Sequence, residues 1–470
     1  MLTSAEPISK SAPDGDRSES ESIPAIKPGI SWASNIMTYV QAEQYLYSLS
    51  NLPRAEYMND PKACKNYLKR TQSLLNILGN PELSTPHYVH VAGTSGKGSL
   101  CHFLHNIMRA NGRKSGLYVT PHPTELNERW QIGGRHMSKQ TFADLSKIME
   151  AALDIYVQTI SEDLPSFFEV TTTMGLYWFA REKVEWVIFE TGCGGRYDST
   201  NVIPYKDAAV ITNIGLDHTD ILGTNLTEIA KEKAGIIRKT KLVITQEQNP
   251  RLLKIIQEAS GKNKFIHSKP QYELYEHSIY GSEFAYRGTH YRIKAAGGHQ
   301  IKNAILAIET AEALGIKNQD IKRGLGQTRF PIRMEPISKN PLIILDSAHN
   351  PDKMKTTVET MLSLFDPKRN NIHLLLGFSE NKPVNQMLGE LALLKPKQIT
   401  ATRNSCHAFR KVADPRSVAK LLKFYAPKIK IDIFLEPFKA LEHAKSKLKK
   451  SDILLITGSV FLSGQLRPRF

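Results

Sequence analysis

Cysteine is scarce in this chain: Cys64, Cys101, Cys193 and Cys406 are the only four among 470 residues, with no CxxC pair and no His/Cys cluster. That excludes a disulfide framework and a structural zinc site of ordinary spacing, and it fits a reducing, cytoplasmic compartment. Long apolar runs are missing too, and no stretch approaches the ~20 residues that a membrane helix needs. Met1–Pro28, rich in Ser, Pro and charge, has no apolar core of the kind a signal peptide requires. Residues 1–32 are therefore expected to form a disordered tail. Acidic residues are the scarcer charge, 46 Asp+Glu against 62 Lys+Arg, for a formal balance of +16. Such a field attracts anions, whether nucleotides, polycarboxylates or nucleic acid. The basic residues are scattered, however, and no basic and aromatic residues interleave as in a nucleic-acid arm.

What is present is an ordinary globular composition, 41% apolar and 23% charged, in a chain long enough for two or three domains. Cores of that size need no covalent staple. Short apolar runs alternate with helical patterns, with strands expected at Tyr88–Ala92, Val184–Glu190, Ala208–Ile214, Leu242–Thr245, Leu342–Asp346, Ile372–Leu376 and Ile453–Thr457. Near-continuous apolar strands separated by helices imply parallel sheets covered on both faces. Leu100, Phe103, Leu104, Ile107 and Met108 recur at one-face helical spacing, and so do Ile301, Ala304, Ile305 and Ile308. The rhythm breaks at Phe265–Lys294, where alternation around Tyr280–Gly281 predicts an antiparallel hairpin. It breaks again at the Pro- and Arg-rich Gln327–Pro341, which places a domain boundary near Thr328, separating 33–328 from 329–470.

The strongest local signal is His90-Val-Ala-Gly-Thr-Ser-Gly-Lys-Gly-Ser99, between an expected strand and an amphipathic helix. Gly93, Gly96 and Gly98 let backbone N–H groups close on an anion at a helix amino terminus, with Thr94 and Ser95 between the first two. Lys97 would reach nucleotide phosphates and the Ser99 hydroxyl would ligate Mg²⁺. The spacing is shorter than the general GxxxxGK[ST] form. Glu190 closes an apolar strand, so its carboxylate is expected at the mouth of the sheet, where a hard cation is held by oxygen donors. His218, beside Asp217 just past another strand, is a candidate ligand, with a structural histidine an equal alternative.

Taken in order, HVAGTSGKGS (90–99), TPH (120–122), ERWQIGG (128–134), SFFEVTT (166–172), FETGCGGRYDSTN (189–201), ITNIGLDH (211–218), IAKEKAGIIR (229–238), GGHQIKNA (297–304), LDSAHNP (345–351) and TGSV (457–460) carry a resemblance from about Tyr39 to the carboxyl end. The chain resembles the folylpolyglutamate synthase/dihydrofolate synthase family of the Mur ligase superfamily. The resemblance implies an α/β protein: a parallel-sheet P-loop domain that binds ATP, then a smaller Rossmann-like domain, with the site in the cleft between them. It implies a monomer acting only on small molecules (ATP, L-glutamate and a folate or dihydropteroate), without nucleic acid or membrane. It further implies Mg²⁺ (one ion or two) held by Ser99, Thr120, Glu190, His218 and a carbamylated Lys233. Lys97, His218 and Lys233 are then the catalytic set. Nucleotide contacts run from Gly93 to Ser99 and include Asn303, Arg333 and Asp346, while Arg196 and His349 fall on the glutamate or acyl side.

For Lys233, a solvent-exposed helix lysine is the competing reading. Some positions depart from the family pattern. Thr120 replaces a serine, Pro331-Ile332-Arg333 replaces Pro-Gly-Arg, and Asn381-Lys382-Pro383 replaces Asp-Lys-Asp. The segment Gln327–Arg333 is expected to act as a hinge, stiffened by Ile332. The alternatives are another Mur-type amide ligase with a different acyl acceptor and, at a distance, a P-loop ATPase acting on nucleic acid.

Overall fold

A computed structural model describes residues 37–51, 64–160, 163–217, 222–406 and 411–470. The expected tail and His218 lie outside the described residues. Eight strands form the first sheet: β1 (His87–Ala92), β2 (Ser115–Tyr118), β3 (Trp130–Ile132), β4 (Arg135–His136), β5 (Trp186–Glu190), β6 (Lys206–Ile211), β7 (Thr240–Thr245) and β8 (Lys264–His267). Their order is β4-β3-β2-β5-β1-β6-β7-β8, parallel from β2 to β8 and antiparallel at β2-β3 and β3-β4.

The central strands are mostly apolar because side chains alternate between two covered faces, with His90, Lys206 and Asp207 among the buried polar exceptions. Val89, Val91 and Ile188 pack with Leu100, Phe103, Leu104, Ile301 and Ile305 on one face. Tyr88, Val187 and Phe189 pack with Tyr118, Phe142, Met174 and Phe179 on the other. Under that second face Arg70 is fully buried, its guanidinium bonded to both oxygens of Glu169 at 2.9 and 3.0 Å and to Asp163.

The antiparallel unit holds β9 (Glu273–Ser278), β10 (Gly281–Tyr286) and β11 (Thr289–Ile293), with its first turn at Ile279–Tyr280. One expectation needs correction. Phe265 does not open this unit, because β8 pairs in parallel with β7 and extends the large sheet. The second sheet contains β12 (Glu335–Lys339), β13 (Leu342–Leu345), β14 (Ile372–Leu376), β15 (Gln398–Ala401), β16 (Lys430–Ile433) and β17 (Ile453–Thr457). Its order is β12-β13-β17-β14-β15-β16, parallel except for β12. Among the described residues, no helix is long and apolar enough to cross a membrane.

Parallel strands aim their carboxyl ends at one edge of each sheet. The loops after β1, β5, β6 and β13 carry the motif residues, and they meet where the two sheets face each other.

Candidate active site

Gly93–Gly96 turns the chain from β1 into the helix Lys97–Ala110. Gly93 and Gly96 have φ of 146° and 83°, and a Cβ at Gly96 would strike the Asn303 amide. Side chains are excluded here by backbone conformation and by crowding. Gly96 also caps the helix without a side-chain acceptor, which leaves first-turn N–H groups facing the cleft. Asn213 stitches the loop to β6: its carbonyl accepts from Thr94 N at 2.9 Å and its side chain from Ser95 N at 2.9 Å.

Two lysines converge on one carbonyl. Lys97 Nζ donates to Gly93 O at 2.9 Å and Lys233 Nζ donates to the same oxygen at 3.0 Å. Lys233 lies in the last turn of the helix Leu226–Ala234 and is only 4% exposed, so the surface reading of this residue does not hold. Burial, reinforced by Lys97, pulls its ammonium down to about 7. Glu190, at the end of β5, accepts Thr120 N at 3.0 Å. Burial raises its carboxyl, while Lys97, the Thr120 N–H and Arg333 act in the opposite direction. The Thr120 hydroxyl accepts from Arg129 Nη1 at 3.2 Å.

Two cavities open along this edge. One, of about 350 Å³, is lined by Gly93, Lys97, Thr120, Glu190, Lys233 and His349 among others. The other, of about 460 Å³, is lined by Ser99, Asn213, Gln300, Asn303, Asp346 and Thr357 among others. The Asp346 carboxylate is an organiser there, accepting from Ala348 N at 2.9 Å, Thr357 Oγ1 at 2.8 Å and Met334 N at 3.1 Å. His349 Nδ1 donates to Ser347 O at 2.8 Å, and burial and Lys353 hold its ring well below the usual imidazole range.

The structure thus brings together Gly93–Ser99, Thr120, Glu190, Lys233, Asn303, Arg333, Asp346 and His349. It does not bring Arg196. That side chain is exposed on the outer side of its glycine-rich loop, 3.3 Å from Glu232 and donating to Lys231 O at 3.1 Å, and it lines neither cavity. Gly192 and Cys193 of the same loop do face the cleft, because Asp198 accepts both of their N–H groups, at 2.9 and 2.8 Å. Sequence reasoning missed Asp198 and Asn213, whose work is done through backbone groups, and it missed Lys353.

Arg333 reaches back from the second half of the chain, so that a Cβ on Gly98 would lie 2.8 Å from its Nη2. On either side of it, Ile332 and Met334 have φ of 50° and 49°. For a β-branched residue this left-handed conformation costs about 1–2 kcal/mol. Ile332 is held there by packing on Ile343, Leu345 and Ile456 and by its N–H to Glu335 Oε2 at 2.8 Å. Ile332→Gly relieves the strain but forfeits a buried side chain worth ~2–5 kcal/mol. A net loss of about 0–4 kcal/mol follows from those two terms, read as a lower urea midpoint with an unchanged slope.

Residues 91–311 match the family model described as Mur ligase middle domain, and residues 332–460 match Mur ligase, glutamate ligase domain. The dihydrofolate synthase/folylpolyglutamate synthase of Bacillus subtilis (strain 168) is 32% identical over 424 residues, 86% of this chain and 94% of that protein. The protein of the same description from Escherichia coli (strain K12) is 31% identical over 315 residues, 66% of this chain and 71% of that one. Among solved structures, Mycobacterium tuberculosis folylpolyglutamate synthase complexed with ADP superposes with a TM-score of 0.80 at 26% identity, covering 92% of this chain and 98% of that one. The Thermotoga maritima folylpolyglutamate synthase gives 0.77 at 27% identity, covering 92% and 96%. With both halves of the chain matched and the Bacillus subtilis protein 32% identical across 94% of its length, the chain is a member of the folylpolyglutamate synthase/dihydrofolate synthase family of the Mur ligase superfamily.

Proposed function

We propose that this chain is an ATP-dependent ligase that joins L-glutamate to a folate, to dihydropteroate, or to both. The observation that carries the reading is the shared edge of the two cavities, where an anion-binding loop on the first sheet faces Asp346 and His349 on the second. A carboxylate oxygen of the folate or dihydropteroate attacks the γ-phosphorus, the bond to the β-phosphate oxygen breaks, and ADP leaves. The glutamate amine then attacks the acyl carbon and gives up a proton to solvent, and phosphate departs with the former carboxylate oxygen. Acyl phosphates hydrolyse readily, so the enclosure of the junction by both halves of the chain protects the intermediate from water.

In this reading Lys97 and Arg333 supply fixed positive charge to the transferring phosphoryl group, and the amino end of the helix Lys97–Ala110 receives the other phosphates. Asn303 and Asp346 shape the nucleotide cavity, while His349 faces the acyl side. Glu190, Thr120 and Ser99 offer a carboxylate and two hydroxyls, hard donors suited to Mg²⁺, an ion that keeps several of its waters. Among the described residues no group of three His, Cys, Asp or Glu side chains converges. Bound there, Mg²⁺ would supply charge neutralisation to the phosphates. Lys233, brought down to about 7, presents enough free amine at neutral pH to add to CO₂ with loss of a proton. The resulting carbamate would be one more oxygen donor in the same cleft.

The reading is tested with purified protein, ATP and Mg²⁺, presenting folate or dihydropteroate with glutamate in some reactions and DNA or RNA in others. ADP release that requires both the acyl acceptor and glutamate, with a product heavier by one glutamyl residue in mass spectrometry, is expected. ADP release stimulated by nucleic acid and indifferent to glutamate would overturn it.

A further inference from the structure

The helix Pro351–Leu364 opens with Asn350 as its cap, then Pro351, Asp352 and Lys353. The amino end of a helix carries partial positive charge, which favours Asp352 and disfavours a lysine one residue later. Lys353 is nonetheless turned into the cleft, where it lines both cavities together with Ser95, Gly96, Arg333 and Ser347. Its Nζ donates to His349 Nε2 at 3.2 Å, and His349 is itself oriented by its Nδ1–H to Ser347 O at 2.8 Å. The helix start is docked on the first half of the chain by Asn350 Nδ2, which donates to Asp217 Oδ2 at 3.0 Å.

Charge makes the placement more costly. Lys97, Arg333 and Lys382 face Lys353, Lys233 lies within its field, and Asp217 and Glu190 are the carboxylates nearby. Asp217 is already engaged by Asn350 and by Lys382 at 3.8 Å. A cation that breaks the local rule of its helix and adds to a surplus of like charge is expected where an anionic ligand offsets the cost. Lys353 lines both cavities, and in the ligase reading the phosphoryl group passes from nucleotide to substrate carboxylate where they meet.

We propose that Lys353 is a second phosphoryl-binding cation, supplied by the second half of the chain, that contacts the group in transit opposite Lys97. The inference rests on the ligase reading above. No proton moves to or from Lys353: its N–H groups bond to the equatorial oxygens while one P–O bond breaks and the other forms. Burial and the neighbouring Lys97 hold its ammonium at about 8, so it is charged at neutral pH and loses that charge in the alkaline range.

The test compares wild type, Lys353→Met and Lys353→Arg in ADP release and product formation across pH, alongside ADP affinity and thermal melting. For Lys353→Met, a fall in kcat on the order of 10–10²-fold is expected, with ADP affinity changed only a few-fold, since ADP lacks the transferred group. Wild-type activity should decline as pH rises through about 8, and Lys353→Arg, whose charge persists, should flatten that decline. Wild-type kcat in a folded Lys353→Met protein, or an alkaline limb that Lys353→Arg leaves unmoved, would overturn the proposal. If Lys353→Met does not fold, the Lys353→Arg profile decides alone. A wild type that releases no ADP with acyl acceptor and glutamate would instead refute the ligase reading, which separates the two failures.

Discussion

Lys97→Ala is expected to lower ligation by on the order of 10²–10³-fold or more while the protein keeps its fold. The lysine is the first residue of its helix and reaches back over the loop to Gly93 O at 2.9 Å, so its charge is positioned before any phosphate arrives. Preorganised charge in a cleft that excludes most water acts on the transition state without reorganisation, which is why one side chain has so large an effect. The fold tolerates the loss because Lys233 continues to donate to the same carbonyl at 3.0 Å, and the lysine's stem belongs to no core cluster. ADP release and the melting temperature are measured together. Activity within about tenfold of wild type would remove the phosphate role from this loop.

At Lys233 substitution should act in opposite directions on activity and stability. Lys233→Ala is expected to abolish turnover, with small carboxylic acids restoring part of it by standing in for a carbamate. Unchanged rates across bicarbonate concentrations would sink that role. Stability provides a second readout. A lysine held at about 7 against an ordinary value of 10.5 binds fewer protons when folded than when unfolded between those limits. Stability from this group therefore rises with pH across that window, and the full cost of burying the charge is present below about pH 7. In buffer free of CO₂, Lys233→Met is expected to be the more stable protein at pH 6–7 by on the order of a few kcal/mol, and to lose the upward slope between neutral and alkaline pH. Parallel stability curves for the two proteins would mean that the amine is not desolvated.

The parts of this site that the sequence made legible are those in which the backbone dictates residue type. Gly93 and Gly96 must be glycines, Lys97 must follow, and a strand must precede, so the loop could be read without coordinates. Glu190 was legible because a carboxylate ending the run Trp186–Phe189 has no apolar role to play there. Lys353 was hidden because its meaning depends on which cavity the helix Pro351–Leu364 faces, and no local pattern carries that information. Arg196 shows the reverse: its motif is plain, yet Glu232 and the Lys231 carbonyl draw the side chain to the far side of the loop. Among the strands, β2, β3, β4, β12, β15 and β16 escaped notice: they are two to five residues long and interrupted by polar residues or glycine, as in Ser115-Gly-Leu-Tyr118 and Lys430-Ile-Asp-Ile433, whereas the equally short β13 is apolar throughout. Phe265 was misassigned because β8 is a four-residue edge strand of only partly buried residues, and its parallel pairing with β7 leaves no mark in its own sequence.

The stretch from Pro331 to Glu335 joins the two halves of the chain, and segments in that position usually accept insertions freely. This one cannot. Ile332 N is anchored to Glu335, Glu335 is gripped by Arg467 through bonds of 2.9 Å to each oxygen, and Met334 N is tied to Asp346. With the backbone left-handed on both sides of Arg333, adding or removing a single residue would swing the guanidinium away from Gly98 and pull on Asp346 through the Met334 N–H. Substitutions here trade strain against packing and can be absorbed, but the residue count is the property this short connection has no freedom to vary.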